Sequence, residues 1–342
     1  MPNILALDIG GANIKLADGA GYASSHPFAL WKTPESLAAQ LSQCLAAALP
    51  SGRIVVTMTG ELCDCYETKK QGVQAIVAAT MEAAAEKPVL FYQTTGQFVS
   101  AAEAAQNYLL TAASNWHALA TFAARFCEAE RGMLIDIGST TTDIIPIENG
   151  KEVARGRTDP ERLGSGELVY LGVQRTPVCA MVPTLPWRGS HRWPIANELF
   201  ATSGDAYLLL GDLPEDPADN NTADGKPFTR DAAHARMARM VCGDRESVTL
   251  DEVQSFAYHV KNSQLRVLQW YFGMVAWAKR TAKTRPEVVV ISGQGEFLAR
   301  ELLKCEFVQF DGNPVSLNER LGPDVSRCAS AHALAVLASE TK

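Results

Sequence analysis

The sequence predicts an α/β protein built as two similar lobes around a central cleft, and three observations carry that prediction. The chain has 342 residues, too many for one ordinary core, since single cores stop growing near ~250–300 residues. Strand-like and helix-like segments alternate along it, the pattern of layered α/β domains. One segment also occurs twice in related form: "LDIGGANIKLA", from Leu7, and "IDIGSTTTDII", from Ile135, share an apolar residue, Asp, Ile and Gly, then a small or hydroxyl-rich turn, then a second strand. Two lobes each presenting such a turn would face one another across a cleft.

In order, 4–9 and 14–17 flank a glycine turn and read as a β-hairpin, 35–49 as an alanine-rich amphipathic helix, and 54–58 as a strand. Helix follows at 69–86, strand at 89–92, and two helices at 99–110 and 115–130, the second with Ser114 and Asn115 as cap candidates. Residues 1–130 make the first lobe and 131–342 the second. The second lobe restarts with a strand at 133–137, a polar turn, another strand and an "ENGKE" hairpin turn. Between about 183 and 250, prolines, tryptophans and the run "GDLPEDPADNNTADGKPFTR" interrupt a helical background and mark an α-helical insertion. Helix resumes over 253–283, and "EVVVISGQGEF" then supplies a buried strand, a glycine turn at 292–296 and a helix. A last strand is expected at 305–310, and a small-residue helix at 327–339 closes the chain by returning to the first lobe.

Composition narrows the function. With 47% hydrophobic and 20% charged residues the chain is an ordinary globular one. A net charge of −7, with Lys and Arg scattered, argues against a nucleic-acid surface. No stretch reaches the ~18 apolar residues of a membrane span, and no signal-peptide pattern opens the chain, so a cytoplasmic protein without membrane contact is expected. The eight cysteines show no repeated C-x-x-C spacing and read as reduced. Cys63-Asp64-Cys65 lacks the second ligand pair that a zinc site needs.

The repeated turns suggest phosphate chemistry. Glycines at Gly10, Gly11 and Gly138 let backbone N–H groups converge on an anion, and Ser139, Thr140, Thr141 and Thr142 add hydroxyl donors, with Asn13 and Lys15 beside the first turn. Asp8 and Asp136, at the strand ends, can hold Mg²⁺ through one or two carboxylate contacts plus water, and Asp143 is a third candidate ligand. A single such hairpin would read as turn geometry alone. Two of them, with the Gly293-Gln294-Gly295 turn after a third strand, favour a phosphate site.

These three segments resemble the phosphate-one, phosphate-two and adenosine segments of the actin/heat-shock chaperone/sugar-kinase (ASKHA) superfamily, which implies two RNase H-like lobes around a nucleotide-type cleft. A narrower resemblance is to the hydantoinase A/oxoprolinase-like branch and, within it, to tetrahydromethanopterin-linked C1-transfer pathway proteins. It rests on "TMTGELCDCYETKKQGV", "ASNWHALA", "GELVYLGVQRTPV", "NELFATSGDAYLLLGDLPED", "TADG" and "RDAAHARMARMVCGD". That resemblance implies a transferase of methanofuran or methylofuran synthesis. It would join an aminomethylfuran-methyl diphosphate to the phenol oxygen of tyramine, glutamyl-tyramine or tyrosine and release diphosphate.

Such chemistry needs charge neutralisation on the leaving diphosphate and a base for a phenol of pKa about 10. Glu61, after the "TMTGE" strand, is the first candidate and Asp205 the second. Gln294, Glu296 and Phe297 crowd the adenosine-like turn, which favours a small diphosphate ester over ATP. ATP remains the cargo under an alternative assignment as a kinase or hydantoinase/oxoprolinase-type amidohydrolase, and a non-catalytic nucleotide-binding protein is a second. Asp212, Asp224, Arg230 and Arg236 surround the Gly/Pro-rich loop and read as a substrate lid or a salt-bridged insertion. Lys69 reads as a surface helix start, Trp116 as core, and His117 as a structural or exposed helix histidine. Exposed-looking Trp187 and Trp193 suggest a homodimer.

Overall fold

The computed structural model describes residues 4–128, 131–276, 285–308 and 310–341. Two six-stranded sheets organise them. In the first, β1 (Ile4–Ile9), β2 (Asn13–Ala17), β3 (Ala23–Pro27), β4 (Arg53–Met58), β5 (Val89–Tyr92) and β6 (Phe98–Val99) lie in the order β3-β2-β1-β4-β5-β6. In the second lobe, β7 (Arg131–Ile137), β8 (Thr142–Glu148), β9 (Lys151–Glu152) and β10 (Leu168–Val169) precede the insertion hairpin of β11 (Thr184–Trp187) and β12 (Ser190–Pro194). After the insertion, β13 (Val288–Ser292) and β14 (Val315–Ser316) complete the order β10-β8-β7-β13-β14, with β9 paired to β8.

The order β2-β1-β4-β5 recurs as β8-β7-β13-β14. In each lobe the first strand pairs antiparallel with its hairpin partner and parallel with the next strand. The fold is thus two RNase H-like lobes. Every residue of β1 is buried, as expected of a central strand covered on both faces.

Two alanine-rich helices, Asn115–Ala123 and Ala329–Glu340, pack on each other between the sheets. Ala118, Ala331, Leu334 and Ala335 meet Ile4, Ala6 and Val55 of the first sheet. Trp116, Leu119, Ala329 and Ala333 meet Leu134, Ile145 and Val290 of the second. Small side chains on both faces keep this shared layer thin, which brings the hairpin turns of the two lobes to one cleft.

The insertion is folded around its own core. Helices Ser203–Leu210 and Arg230–Arg239 pack with the β11/β12 hairpin against the Leu250–Ala276 helix through Leu185, Leu208, Met237 and Phe256.

Several sequence expectations change. The strand expected at 305–310 does not form: residues 305–308 turn, with Phe307 79% exposed, and β14 takes the sheet edge instead. Residue 309 lies outside the described residues. Strand β3 extends the first sheet beyond the expected hairpin. The expected helix at 253–283 starts at Leu250 and is described to Ala276, and the rest of the expected span, 277–283, lies outside the described residues. The helix expected over 115–130 gives way to a 3-10 turn at Ala124–Phe126, with 129 and 130 outside the described residues. Trp187 is buried, stacks edge-on against Trp193 at 5.0 Å and donates its Nε1–H to Glu252 at 2.9 Å, so it is not the exposed contact expected for a dimer. Among the described residues, no helix is long and apolar enough to cross a membrane.

Candidate active site

The two hairpin turns share one construction. Gly10 N–H donates to Asn13 O at 2.9 Å in the first, and Gly138 N–H to Thr141 O at 2.9 Å in the second. The carbonyls are tied off behind each turn. Gly11 O and Ala12 O accept from Leu30 and Phe28, while Gly138 O accepts from Val173 and Ser139 O from Gln174 and Arg175. Among the described residues, the N–H groups of Ser139, Thr140 and Thr141 have no backbone acceptor. A turn with its carbonyls occupied and its N–H groups left without a backbone acceptor is suited to an anion.

The support behind the second turn is tight. A Cβ on Gly172 would lie 2.4 Å from the carbonyl carbon and oxygen of Ser139 and from Thr140 N, so only glycine lets that segment brace the turn. Similarly, Gly293 sits at φ +87, and a Cβ there would meet Asp136 Oδ1 at 2.7 Å. The "SGQG" turn therefore leaves room for the Asp136 carboxylate. The first lobe repeats the device: Thr59 and Gly60 N–H donate to Ile9 O as Gly295 N–H donates to Ile137 O.

The carboxylates follow from strand register. Asp8 faces Lys15 across the hairpin and Thr57 on β4, whereas Asp136 faces Asp143 and Ser292. Cross-strand neighbours share one face of a sheet, so each Asp has these groups beside it. Burial raises the pKa of Asp8, with the positive charge of Lys15 opposing it, and Asp8 Oδ1 is buried without a hydrogen-bond partner. Asp136 is pushed up to about 6 by burial and by the Asp143 charge, with Ser292 and Lys15 pulling the other way. Lys15 thus acts on an aspartate from each lobe, which sets it in the cleft.

Among the described residues, no group of three or more His, Cys, Asp or Glu side chains is placed to hold a metal. The unpartnered Asp8 oxygen, with Asp136 across the cleft, fits Mg²⁺ held mainly by water and phosphate oxygens.

Glu61 lies just beyond Gly60 at the edge of the first turn. It is 1% exposed, its Oε2 has no hydrogen-bond partner, and its pKa is pushed up to about 7, first by burial and further by Asp159, against the pull of Lys69. Lys69 Nζ stands 3.9 Å from Glu61 and 3.0 Å from Asp159 of the other lobe, so the residue read as a surface helix start bridges the cleft. Asp159 also lies 3.5 Å from Arg162, which pairs with Asp143 and stacks 4.1 Å over the Trp116 ring. Arg175 stacks on Trp31 of the first lobe at 5.4 Å. Sequence reasoning missed Asp159, Arg162, Tyr170 and Arg175. The i, i+3 spacing of Asp159 and Arg162 was the available signal.

Other candidates have structural work. Thr142 is buried and donates its hydroxyl proton to Leu171 O at 2.7 Å, behind the turn, so it does not face a phosphate. Asp143 is neutralised by buried Arg162 and is not free to ligate a metal. Asp205 is 1% exposed, caps its own helix by accepting from Thr202 N–H and accepts from Arg236 Nε at 2.7 Å, which removes it as a base. The expected lid is a salt-bridged body. Arg236 and Arg239 hold Asp224, Lys261 holds Asp212 at 3.1 Å, and Arg230 donates to Leu208 O.

At the third turn, Glu296 accepts from Ser316 and Asn318, and Phe297 stacks on Tyr207 at 5.0 Å, leaving Gln294 exposed. Those two side chains point into their own lobe and do not plug the nucleotide-like pocket. His117 is held between Tyr92 and Glu152, each near 3 Å, and Trp116 is core.

Comparison with known proteins places this architecture. The hydantoinase/oxoprolinase family profile matches residues 53–319. A curated protein of Methanocaldococcus jannaschii, (4-{4-[2-(gamma-L-glutamylamino)ethyl]phenoxymethyl}furan-2-yl)methanamine synthase, is 36% identical over 98% of this chain and 97% of its own. A protein of the same name from Methanococcus vannielii is 31% identical over 60% of this chain and 89% of its own. Among solved structures, nucleotide-free acetone carboxylase matches 94% of this chain with a TM-score of 0.50 at 12% identity. This chain spans about half (51%) of that longer one, and the likeness is one of fold.

Proposed function

The chain belongs to the hydantoinase/oxoprolinase family, and from that premise we propose that it is an ether-forming transferase of methanofuran-type cofactor synthesis. Its donor is a 5-(aminomethyl)furan-3-methyl diphosphate and its acceptor the phenol of glutamyl-tyramine, the two halves in the product that names the curated relatives.

The structural observation that supports this best is the position of Glu61: a buried carboxyl with a free oxygen and a pKa near 7, at the rim of an anion-binding turn. In the reaction, the bond from the furanylmethyl carbon to the diphosphate oxygen breaks and its electron pair leaves with diphosphate. The furan ring stabilises the cationic carbon. The phenol oxygen forms the new bond to that carbon and its proton passes to Glu61. Full transfer from a phenol of pKa about 10 to Glu61 is uphill by ~4 kcal/mol, so the proton moves as the new bond forms and acidifies it.

The N–H groups of Ser139, Thr140 and Thr141 receive the charge that develops on the leaving group, with Lys15 beside them. Asp8 and Asp136 would hold Mg²⁺, which supplies further neutralisation of the diphosphate when bound. The two lobes position donor and acceptor, which accounts for much of the rate in a reaction that needs little covalent help.

The test is an incubation of the purified chain with both substrates and Mg²⁺, followed by mass spectrometry and a diphosphate assay. One diphosphate released per ether formed is expected. Absence of ether, with turnover of ATP in the presence of a small-molecule acceptor, would overturn the proposal.

A further inference from the structure

A cavity of about 260 Å³ opens in the second lobe. Leu163, Tyr170, Met181, Gln264, Val267 and Tyr271 supply most of its wall, and among the described residues no charged side chain lines it. The Ser263 hydroxyl and the Gln264 amide are already satisfied. Ser263 Oγ donates to Met181 O at 3.0 Å, Gln264 Nε2 donates to Gly172 O at 3.1 Å, and Gln264 Oε1 accepts from Tyr207 at 2.9 Å. A diphosphate or a nucleotide tail would find no cation in this lining, and no donors beyond the Tyr170 and Tyr271 hydroxyls. An aromatic ring loses nothing by entering and gains burial between two tyrosines. The volume is below the ~300–1,000 Å³ of pockets for drug-sized ligands, which suits one ring with a short arm.

Two links join the cavity to the active site. Gly172, the acceptor of the Gln264 amide, is the residue that braces Ser139 of the second turn. Leu163 lies four residues beyond Asp159 in the Asp159–Ser165 helix, so about 6 Å of helix separates the cavity wall from the Lys69–Asp159–Glu61 group. Tyr170, 60% exposed at the mouth, feels the charges of Asp159, Glu61, Lys69 and Arg175.

We propose that this cavity is the acceptor subsite, holding the phenyl ring of a phenolic amine with its phenol oxygen directed toward Glu61 and its amine arm toward solvent. The assignment rests on the ether-forming reaction above and adds to it the place where the acceptor binds.

The test is calorimetry of glutamyl-tyramine binding in the presence of saturating inorganic diphosphate and Mg²⁺, to the unaltered chain and to Ala180→Phe. Ala180 is an exposed rim residue of the cavity, and the larger ring fills it. A loss of affinity of ~10-fold or more, with diphosphate affinity and melting temperature retained, is expected. Val267→Phe, which fills the cavity from the helix side, is read the same way if Ala180→Phe melts early. Unchanged acceptor affinity in the filled variants, or no binding to the unaltered chain, would overturn the subsite. Ether formation is scored separately. Ether made with acceptor affinity intact in the variants overturns the subsite alone, whereas phenolic-amine binding that the variants lose, without any ether made, keeps the subsite and overturns the reaction.

Discussion

Glu61 shows how one residue acquires a role from its surroundings. In the sequence it is a glutamate after a glycine, and in the fold it is 1% exposed with one oxygen unpartnered. With a pKa near 7 the carboxyl is half ionised at that pH, so under the proposed reaction kcat/KM should rise as pH increases through about 7. Glu61→Gln should lower kcat by ~10²–10⁴-fold and abolish that limb of the profile. The effect on stability has the opposite sign. The folded state holds the Glu61 proton more tightly than the unfolded chain, so stability is lost as pH rises from about 4.5 toward 7. Glu61→Gln should therefore melt higher than the unaltered chain at pH 8, by at most ~3 kcal/mol of stability. A fall in melting temperature would show that the ionised carboxylate is a net stabiliser.

At the scale of elements, the turns depend on what lies behind them. Gly172→Ala places a methyl group against backbone atoms of Ser139 and Thr140 that cannot swing away. A cost of ~1–3 kcal/mol is expected, together with a raised KM for the diphosphate donor. Steady-state kinetics in both substrates checks this. The insertion helices give a contrasting prediction. Arg236 is fully buried between Asp205 and Asp224, and removing it strands a buried carboxylate. Arg236→Met should cost ~3–5 kcal/mol in chemical denaturation. A mobile lid would respond otherwise, with altered KM and unchanged stability.

At the scale of the whole molecule, the lobes meet through the shared helix layer and through polar bridges across the cleft. Arg157 donates to Thr94 O and Glu152, and Glu152 in turn holds His117, which makes one bridge. The other, Lys69–Asp159, lies beside Glu61. Asp159→Asn removes a negative charge near Glu61 and releases Lys69 to it, and both effects lower the Glu61 pKa. The rise in kcat/KM should then move to lower pH than in the unaltered chain. An unmoved profile would show that the bridge holds the lobes without tuning the base.

The repeated Asp-Ile-Gly turn and most of the strand and helix order were legible in the amino-acid order. Local patterns carry them: alternation, glycine punctuation and a self-similar segment of eleven residues. Thr142, Asp143 and Asp205 looked as suitable as their neighbours because composition does not say which way a side chain faces or what awaits it there. Leu171 O, Arg162 and Arg236 claimed them, and each partner lies 19 to 31 residues away. The sequence by itself determined two similar lobes with a related Asp-Ile-Gly turn on each. Only the tertiary structure decided which polar groups stay free at the cleft, because desolvation and pairing depend on contacts between segments distant along the chain.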